Sequence, residues 1–354
     1  MNARFPILSL THVTFEKIVM LLDPSDIFEL AQSSEKCHNL VKNTTKLFRK
    51  TVNFDISLFP GISYVRVCSN GMTLFDWELY NKRNKMRLEL EDLKPRIINR
   101  ASDSKKPIVF YRKKIGKYAS VYTDPEEVLK IAQYLADLFN LSVRHLCYQR
   151  HHHLDSLLSY DMIKKGRLEF VEIGQGVVSH SELIQILEGF GDRTLHMYKV
   201  NTQSGFVYDK MISRRGLKLQ RSNWFTGRML VNFDCEYADL TIYDVEEEDI
   251  NQLLLQIMNS SSHKLKTMAI SKERLESEDE SDLDQSEEME PFDIDKITEG
   301  LDEFHEEHAD FEGEITRRFK KTDGTFVNVE VENNYSYNSI LLWTGLFNSY
   351  SEAL

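Results

Sequence analysis

The sequence predicts an α+β chain. A small N-terminal unit of three helices over residues 4–50 is followed by an irregular α/β repeat over 51–275. A disordered acidic insert then covers 276–314, and residues 315–348 supply C-terminal strands that return to the α/β body. Three observations predict this arrangement. The first fifty residues space their apolar side chains at helical intervals, the body alternates strand-like and helix-like patterns, and the acidic charge is gathered in one stretch.

In the N-terminal unit Val13, Phe15, Ile18, Leu21 and Leu22 follow a helical course that ends at Asp23-Pro24. Asp23 suits an N-cap, with Pro24 at the first helical position and Asp26 in the first turn, where the peptide dipoles favour negative charge. Ile27, Phe28, Leu30 and Ala31 form that helix's apolar face, and Ser33 or Ser34 can cap a third helix carrying Cys37, Leu40, Val41 and Phe48. Three short helices make a thin core, which needs a partner or the rest of the chain to stabilise it.

From Thr51 the period drops to two. Val52, Phe54, Ile56 and Leu58 alternate, Tyr64–Val67 and Phe75–Leu79 read as strands, and Gly61 and Asn70-Gly71 supply turns. Residues 82–96 mix charges with Leu and Met and give no assignment. A strand–loop–helix–strand pattern then occurs three times. In residues 119–148 a strand at Ala119–Tyr122 leads to Asp124-Pro125, then to a helix with Val128, Ile131, Leu135 and Phe139. In residues 168–200 the capping box Ser179/Glu182 opens a helix with Leu183, Leu187 and Phe190. In residues 239–270 the acidic turn Glu246–Asp249 precedes Ile250, Leu253, Leu254, Ile257 and Met258. Recurrence every 50–70 residues suggests an irregular solenoid akin to leucine-rich repeats, with a sheet face open to a partner.

The net charge of −12 is local in origin: residues 276–314 hold 19 acidic residues and one lysine, or −18, which leaves +6 on the rest. Residues 277–288, SEDESDLDQSEE, have too little apolar surface to offset ordering entropy and read as disordered. Asp323-Gly324 marks a hairpin turn, and Tyr335–Trp343 a last strand. The N-terminus lacks a secretory signal pattern, and no apolar run approaches the ~20 residues of a membrane helix. The expectation is an intracellular chain, cytoplasmic and/or nuclear, without a membrane partner.

Sequence support for catalysis is missing. Cys37, Cys68, Cys147 and Cys235 lie far apart, which argues against a disulfide framework or zinc module. The cluster His145, Cys147, His151, His152 and His153 places consecutive side chains in different directions. Gly174-Gln-Gly176 follows a strand as a dinucleotide loop would, yet Ser179 replaces the third glycine. The residues therefore predict no enzyme activity, no cofactor and no metal. Six positive charges between Lys210 and Arg228, with Arg214, Arg215, Lys218, Arg221 and Trp224 as the candidate partner surface, suit an acidic protein better than nucleic acid. Ser277, Ser281 and Ser286 each precede acidic residues and are candidate sites for an acid-directed kinase.

Phe5-Pro-Ile-Leu-Ser-Leu10, Val13, Ile18, Leu21-Leu22-Asp23-Pro24, Ile27, Leu30-Ala31 and Leu40-Val41-Lys42 resemble an F-box. The match is to the nematode group in which an F-box precedes a type 2 F-box-associated domain. Tyr134–Phe139, Glu248–Leu254 and Phe319–Gly324 resemble that second domain. Where the family usually has Leu-Pro, this chain has Leu10-Thr11, and Thr11 can still cap a helix. The resemblance implies the substrate receptor of an SCF-type ubiquitin ligase. Its F-box would bind a Skp-family adaptor, and through it a cullin, with Leu10, Ile18, Leu22, Pro24 and Leu30 as the adaptor-binding candidates. The remaining domain would hold a protein substrate. The alternative is an interaction scaffold that does not engage the ligase.

Overall fold

The computed structural model describes residues 10–44, 52–69, 72–82, 95–98, 108–114, 117–122, 125–149, 154–164, 168–260, 263–272, 291–301, 308–309, 315–321, 323–333 and 338–345. It is a mixed α/β protein: three N-terminal helices precede a large mixed sheet. The chain divides into two compact units, 1–172 and 173–354.

In the first unit the helices are α1 (His12–Leu21), α2 (Pro24–Ser33) and α3 (Glu35–Thr44). The Oγ of Thr11 caps α1 by accepting from the Thr14 N–H at 3.3 Å, and the Ser34 Oγ accepts from the Cys37 N–H at 3.1 Å to start α3. Asp23 takes the N-cap position of α2 with Pro24 at the first turn. The strands are β1 (Asn53–Leu58), β2 (Ile62–Ser69), β3 (Met72–Asn81), β4 (Pro95–Ile98), β5 (Ile108–Lys114), β6 (Lys117–Tyr122) and β7 (Val143–Gln149). Helix α4 (Pro125–Phe139) joins β6 to β7, and α5 (Leu154–Ser159) and α6 (Asp161–Lys164) follow.

The strand order is β7-β1-β2-β3-β6-β5-β4. β1, β2 and β3 form an antiparallel meander, whereas β6 pairs parallel with β3 and β7 parallel with β1. The strand–helix–strand of residues 119–148 thus closes over the meander instead of adding neighbouring strands. Helix α2 packs on one sheet face. Phe28 of α2 sits among Phe75, Trp77, Phe110 and Tyr118 with ring centroids 5.0–5.6 Å away. The Tyr118 hydroxyl donates to the Ser25 carbonyl at 3.3 Å, and Glu29 pairs with Arg96 and Arg112. The thin core expected to need the rest of the chain is thus completed by the sheet, through α2.

The second unit opens with most of β8 (Phe170–Val178), then α7 (His180–Gly189), β9 (Thr194–Thr202), β10 (Ile212–Gln220) and β11 (Phe233–Ile242). A 3-10 turn at Gly227–Asn232 precedes β11. Next come α8 (Glu247–Asn259), β12 (Thr267–Lys272), α9 (Ile294–Ile297), β13 (His308–Ala309), β14 (Ile315–Lys320), β15 (Phe326–Asn333) and β16 (Asn338–Thr344). The order is β8-β9-β10-β11-β12-β16-β15-β14-β13. β9 to β12 run parallel, and β12 to β13 pair antiparallel. The expected capping box is present: the Ser179 Oγ accepts from the Glu182 N–H at 3.3 Å and Glu182 accepts from the Ser179 N–H at 2.8 Å. The expected 0, 3, 4, 7 spacing buries Ile250, Leu253, Leu254 and Ile257 on α8. Gly324, with φ +85°, turns the β14–β15 hairpin, where left-handed backbone is open to glycine at no steric cost.

Two expectations fail. Arg214, Arg215 and Lys218 were expected to share a surface for a partner, but residues 212–220 form a central parallel strand that buries Arg214. Part of the stretch expected to be disordered, residues 291–301, is folded against α8 and β14. Phe292, Ile294 and Ile297 are buried, and Asn251 Nδ2 donates to the carbonyls of Ile297 at 2.8 Å and Glu299 at 2.9 Å. Arg317 donates to Thr298 Oγ1 at 2.6 Å. Three apolar side chains within seven residues, dispersed among acids, supply the anchor that composition alone concealed.

Candidate functional site

Helix α1 has two apolar faces. Phe15 and Val19 point inward with 1% and 0% exposure, and Ile18 is half-buried beside them. Val13, Met20 and Leu21, at positions i, i+7 and i+8, lie on the opposite side with Lys17 between them. Leu21 is 86% exposed, more than any other large apolar side chain among the described residues. Helix α2 cannot extend this surface through its own core face, because Ile27, Phe28 and Ala31 are buried.

The five adaptor-binding candidates are divided by this geometry. Leu10, Ile18, Leu22 and Leu30 are half-buried, so each presents part of its side chain. Pro24 is buried at the start of α2 and offers no surface. Val13, Met20 and Leu21 were missed as surface residues. The signal was present in the sequence: Val13, Phe15, Ile18, Leu21 and Leu22 span too wide an arc for a single buried stripe.

The basic patch does not form one surface. Arg214 is 2% exposed and its Nη2 donates to the Leu187 carbonyl at 2.5 Å, at the C-terminal end of α7. Desolvation lowers its pKa below the ordinary guanidinium value. Trp224 is also 2% exposed, with its ring edge-on to Phe206 at 5.9 Å and Phe225 at 5.6 Å. Lys218 is half-buried and paired with Asp239, and Lys210 pairs with Glu188 at 2.5 Å. Arg221 is half-buried, and Arg215 alone of the five candidates is fully exposed. The alternation of β10 explains the error, since successive side chains in a strand point to opposite faces.

The other chemical candidates resolve simply. Gly174-Gln-Gly176 lies inside β8, which runs unbroken to Val178, so no phosphate-cradling loop exists there. Burial pushes the thiols of Cys147 and Cys235 up to about 12, which keeps them protonated and unreactive near neutrality. His145 packs on Phe170, whereas His151, His152 and His153 lie outside the described residues, as do Ser277, Ser281 and Ser286. Among the described residues no His, Cys, Asp and Glu side chains converge in a group of three or more that could hold a metal. Among them, too, no helix is long and apolar enough to cross a membrane.

Comparison with known proteins adds no assignment: no family model, curated protein or solved structure matches the chain.

Proposed function

We propose that the chain is a substrate-recognition subunit of an SCF-type E3 ubiquitin ligase. Helices α1–α3, resembling an F-box, bind a Skp-family adaptor and through it a cullin, and the remaining α/β body holds a protein substrate. The observation that carries this reading is the outward apolar face of α1. Val13, Met20 and Leu21 stay in large part exposed, and large apolar side chains grouped on one exposed helix face suit a protein interface. The parallel run β9–β12 supports a leucine-rich-repeat-like body, in which a sheet face is left for a partner.

The test is co-purification of adaptor and cullin with the full chain. Leu21→Glu places a charge at the most exposed position of the apolar face and touches no core. Loss of a central anchor of ~2 kcal/mol reduces adaptor affinity about thirtyfold. Undiminished recovery of adaptor with Leu21→Glu and with Val13→Glu, both folded by circular dichroism, refutes the assignment.

A further inference from the structure

Arg214 carries a charge that the fold leaves unanswered. It is 2% exposed, and of its three guanidinium nitrogens only Nη2 has an acceptor, the Leu187 carbonyl at the end of α7. Nε and Nη1 are buried without a hydrogen-bond partner. An arginine side chain stays protonated in proteins, so its burial is not relieved by neutralisation. A buried charge without a counter-charge is strongly unfavourable, and folded proteins pair such a group with protein, ordered water or a bound ion.

The neighbours do not supply the missing negative charge. Cys235 stands opposite Arg214 in the β10–β11 register, but its thiol stays protonated and donates to the Ile212 carbonyl at 3.6 Å. Tyr208 is buried, and burial keeps its hydroxyl neutral. Glu188 is taken by Lys210 at 2.5 Å, while Asp192 is exposed and makes no ion pair with Arg214. The Leu187 carbonyl, even with the α7 dipole behind it, offers only a partial charge.

The cover over this group is a strap. Residues 203–211 connect β9 to β10 and turn at Gly205, with φ +83°. Among the described residues, 204–210 make no backbone–backbone hydrogen bond. Side chains hold the strap instead. The Phe206 ring lies 5.4 Å from His180 and 5.9 Å from Trp224, and Lys210 reaches Glu188, next to the carbonyl that Arg214 holds. Tyr208 is within electrostatic reach of Glu188, Lys210 and Arg214, whereas Val207 and Met211 are 73% and 50% exposed. Lifting the strap breaks one surface ion pair and a small set of ring contacts, with no backbone ladder to unzip.

We infer that Arg214 and the strap above it form a binding site for an oxyanion, a phosphate or carboxylate group that enters as the strap lifts and accepts from the guanidinium nitrogens left free. The site lies wholly in the second unit and is independent of the assignment of α1 to an adaptor.

Thermal unfolding of the full chain in rising sodium phosphate or sodium acetate, with ionic strength held by sodium chloride, tests it. The midpoint is expected to climb with the logarithm of anion concentration for at least one of the two. Arg214→Met is expected to lose this response. Without anion it should unfold at a higher midpoint than the unsubstituted chain, because an apolar side chain has replaced an unpaired buried charge. Arg214→Lys keeps the charge but not the fork of donors, and is expected to need at least tenfold more anion for the same rise. Hydrogen exchange needs no substitution: the effective anion should slow amide exchange in residues 204–214 several-fold, and more than in the first unit. A rise that Arg214→Met shares in full, as a general salting effect would give, overturns the proposal. So does the absence of a response to both anions, or unaltered exchange over 204–214. A lower anion-free midpoint in Arg214→Met makes the guanidinium a prop of α7 and overturns it too. A third arm with N-acetyl phosphoserine amide identifies the source: tighter binding than of inorganic phosphate places the group on a protein partner, and binding no tighter makes it a free ion.

Discussion

At the scale of single residues, burial decides which polar groups act and which only hold the fold. His263 is the clearest case. Its Nδ1 accepts from the Leu265 N–H at 3.2 Å, and its Nε2 donates to the Phe233 carbonyl at 3.0 Å. Those two bonds fix the neutral tautomer, and desolvation holds the imidazole's pKa below its ordinary 6.5 although Asp234 stands 3.9 Å away. Lys321 adds a smaller push in the same direction. The folded protein thus resists a proton that the unfolded chain accepts below about pH 6.5. This contribution to stability is complete above that pH and is lost as pH falls toward the depressed folded value. Urea unfolding midpoints are expected to fall between pH 7 and pH 5. His263→Gln, whose amide can make both hydrogen bonds without titrating, should reduce that slope. An equal slope in the variant rules His263 out as its source.

At the scale of elements, the joint between α2 and its sheet governs whether the N-terminal helices hold together. Phe28 is fully buried with four aromatic neighbours, and truncating such a side chain costs about 3–5 kcal/mol. Phe28→Ala should therefore lower the unfolding midpoint and alter Trp77 fluorescence in the same transition that melts α1–α3; two separate transitions would show the helices to be independent of the sheet. The same joint marks how far the sequence could be read. Helix caps at Thr11, Ser34 and Ser179, the α8 stripe and the Asp323-Gly324 turn were legible because each depends on residues within a few positions. The partner of Phe28 was not, since an apolar side chain carries no address: Phe110 and Tyr118 lie far along the chain. Nor was the parity of β10 legible. Arg214 and Arg215 have the same chemistry, and only the direction of the strand buries one and exposes the other.

At the scale of the whole molecule, charge is divided unevenly: residues 1–172 sum to +7 and residues 173–354 to −19, of which 276–314 supply −18. The acidic stretch cannot act by covering Lys210–Arg228, because that patch is dispersed and half of it is buried or paired. Its flanks also begin and end together: Lys272 Nζ stands 5.1 Å from the centroid of the Phe292 ring, and residues 291–301 are anchored beyond. What remains is a long-range effect. Residues 276–290 contain nine acidic residues and no basic one, and an acidic partner approaching the molecule is repelled by them at any orientation. Replacing 276–290 with a short Gly/Ser linker joins flanks that are already adjacent, so thermal stability should change little. Association of a labelled acidic protein partner should accelerate several-fold at about 10 mM salt, where the Debye length is ~30 Å, and be unchanged at 1 M, where it is ~3 Å. Stopped-flow anisotropy at the two salt concentrations reads both values. An equal rate at low salt would leave the acidic stretch without influence on partner approach, and a faster rate that persists at 1 M would point to a steric obstacle in place of a field.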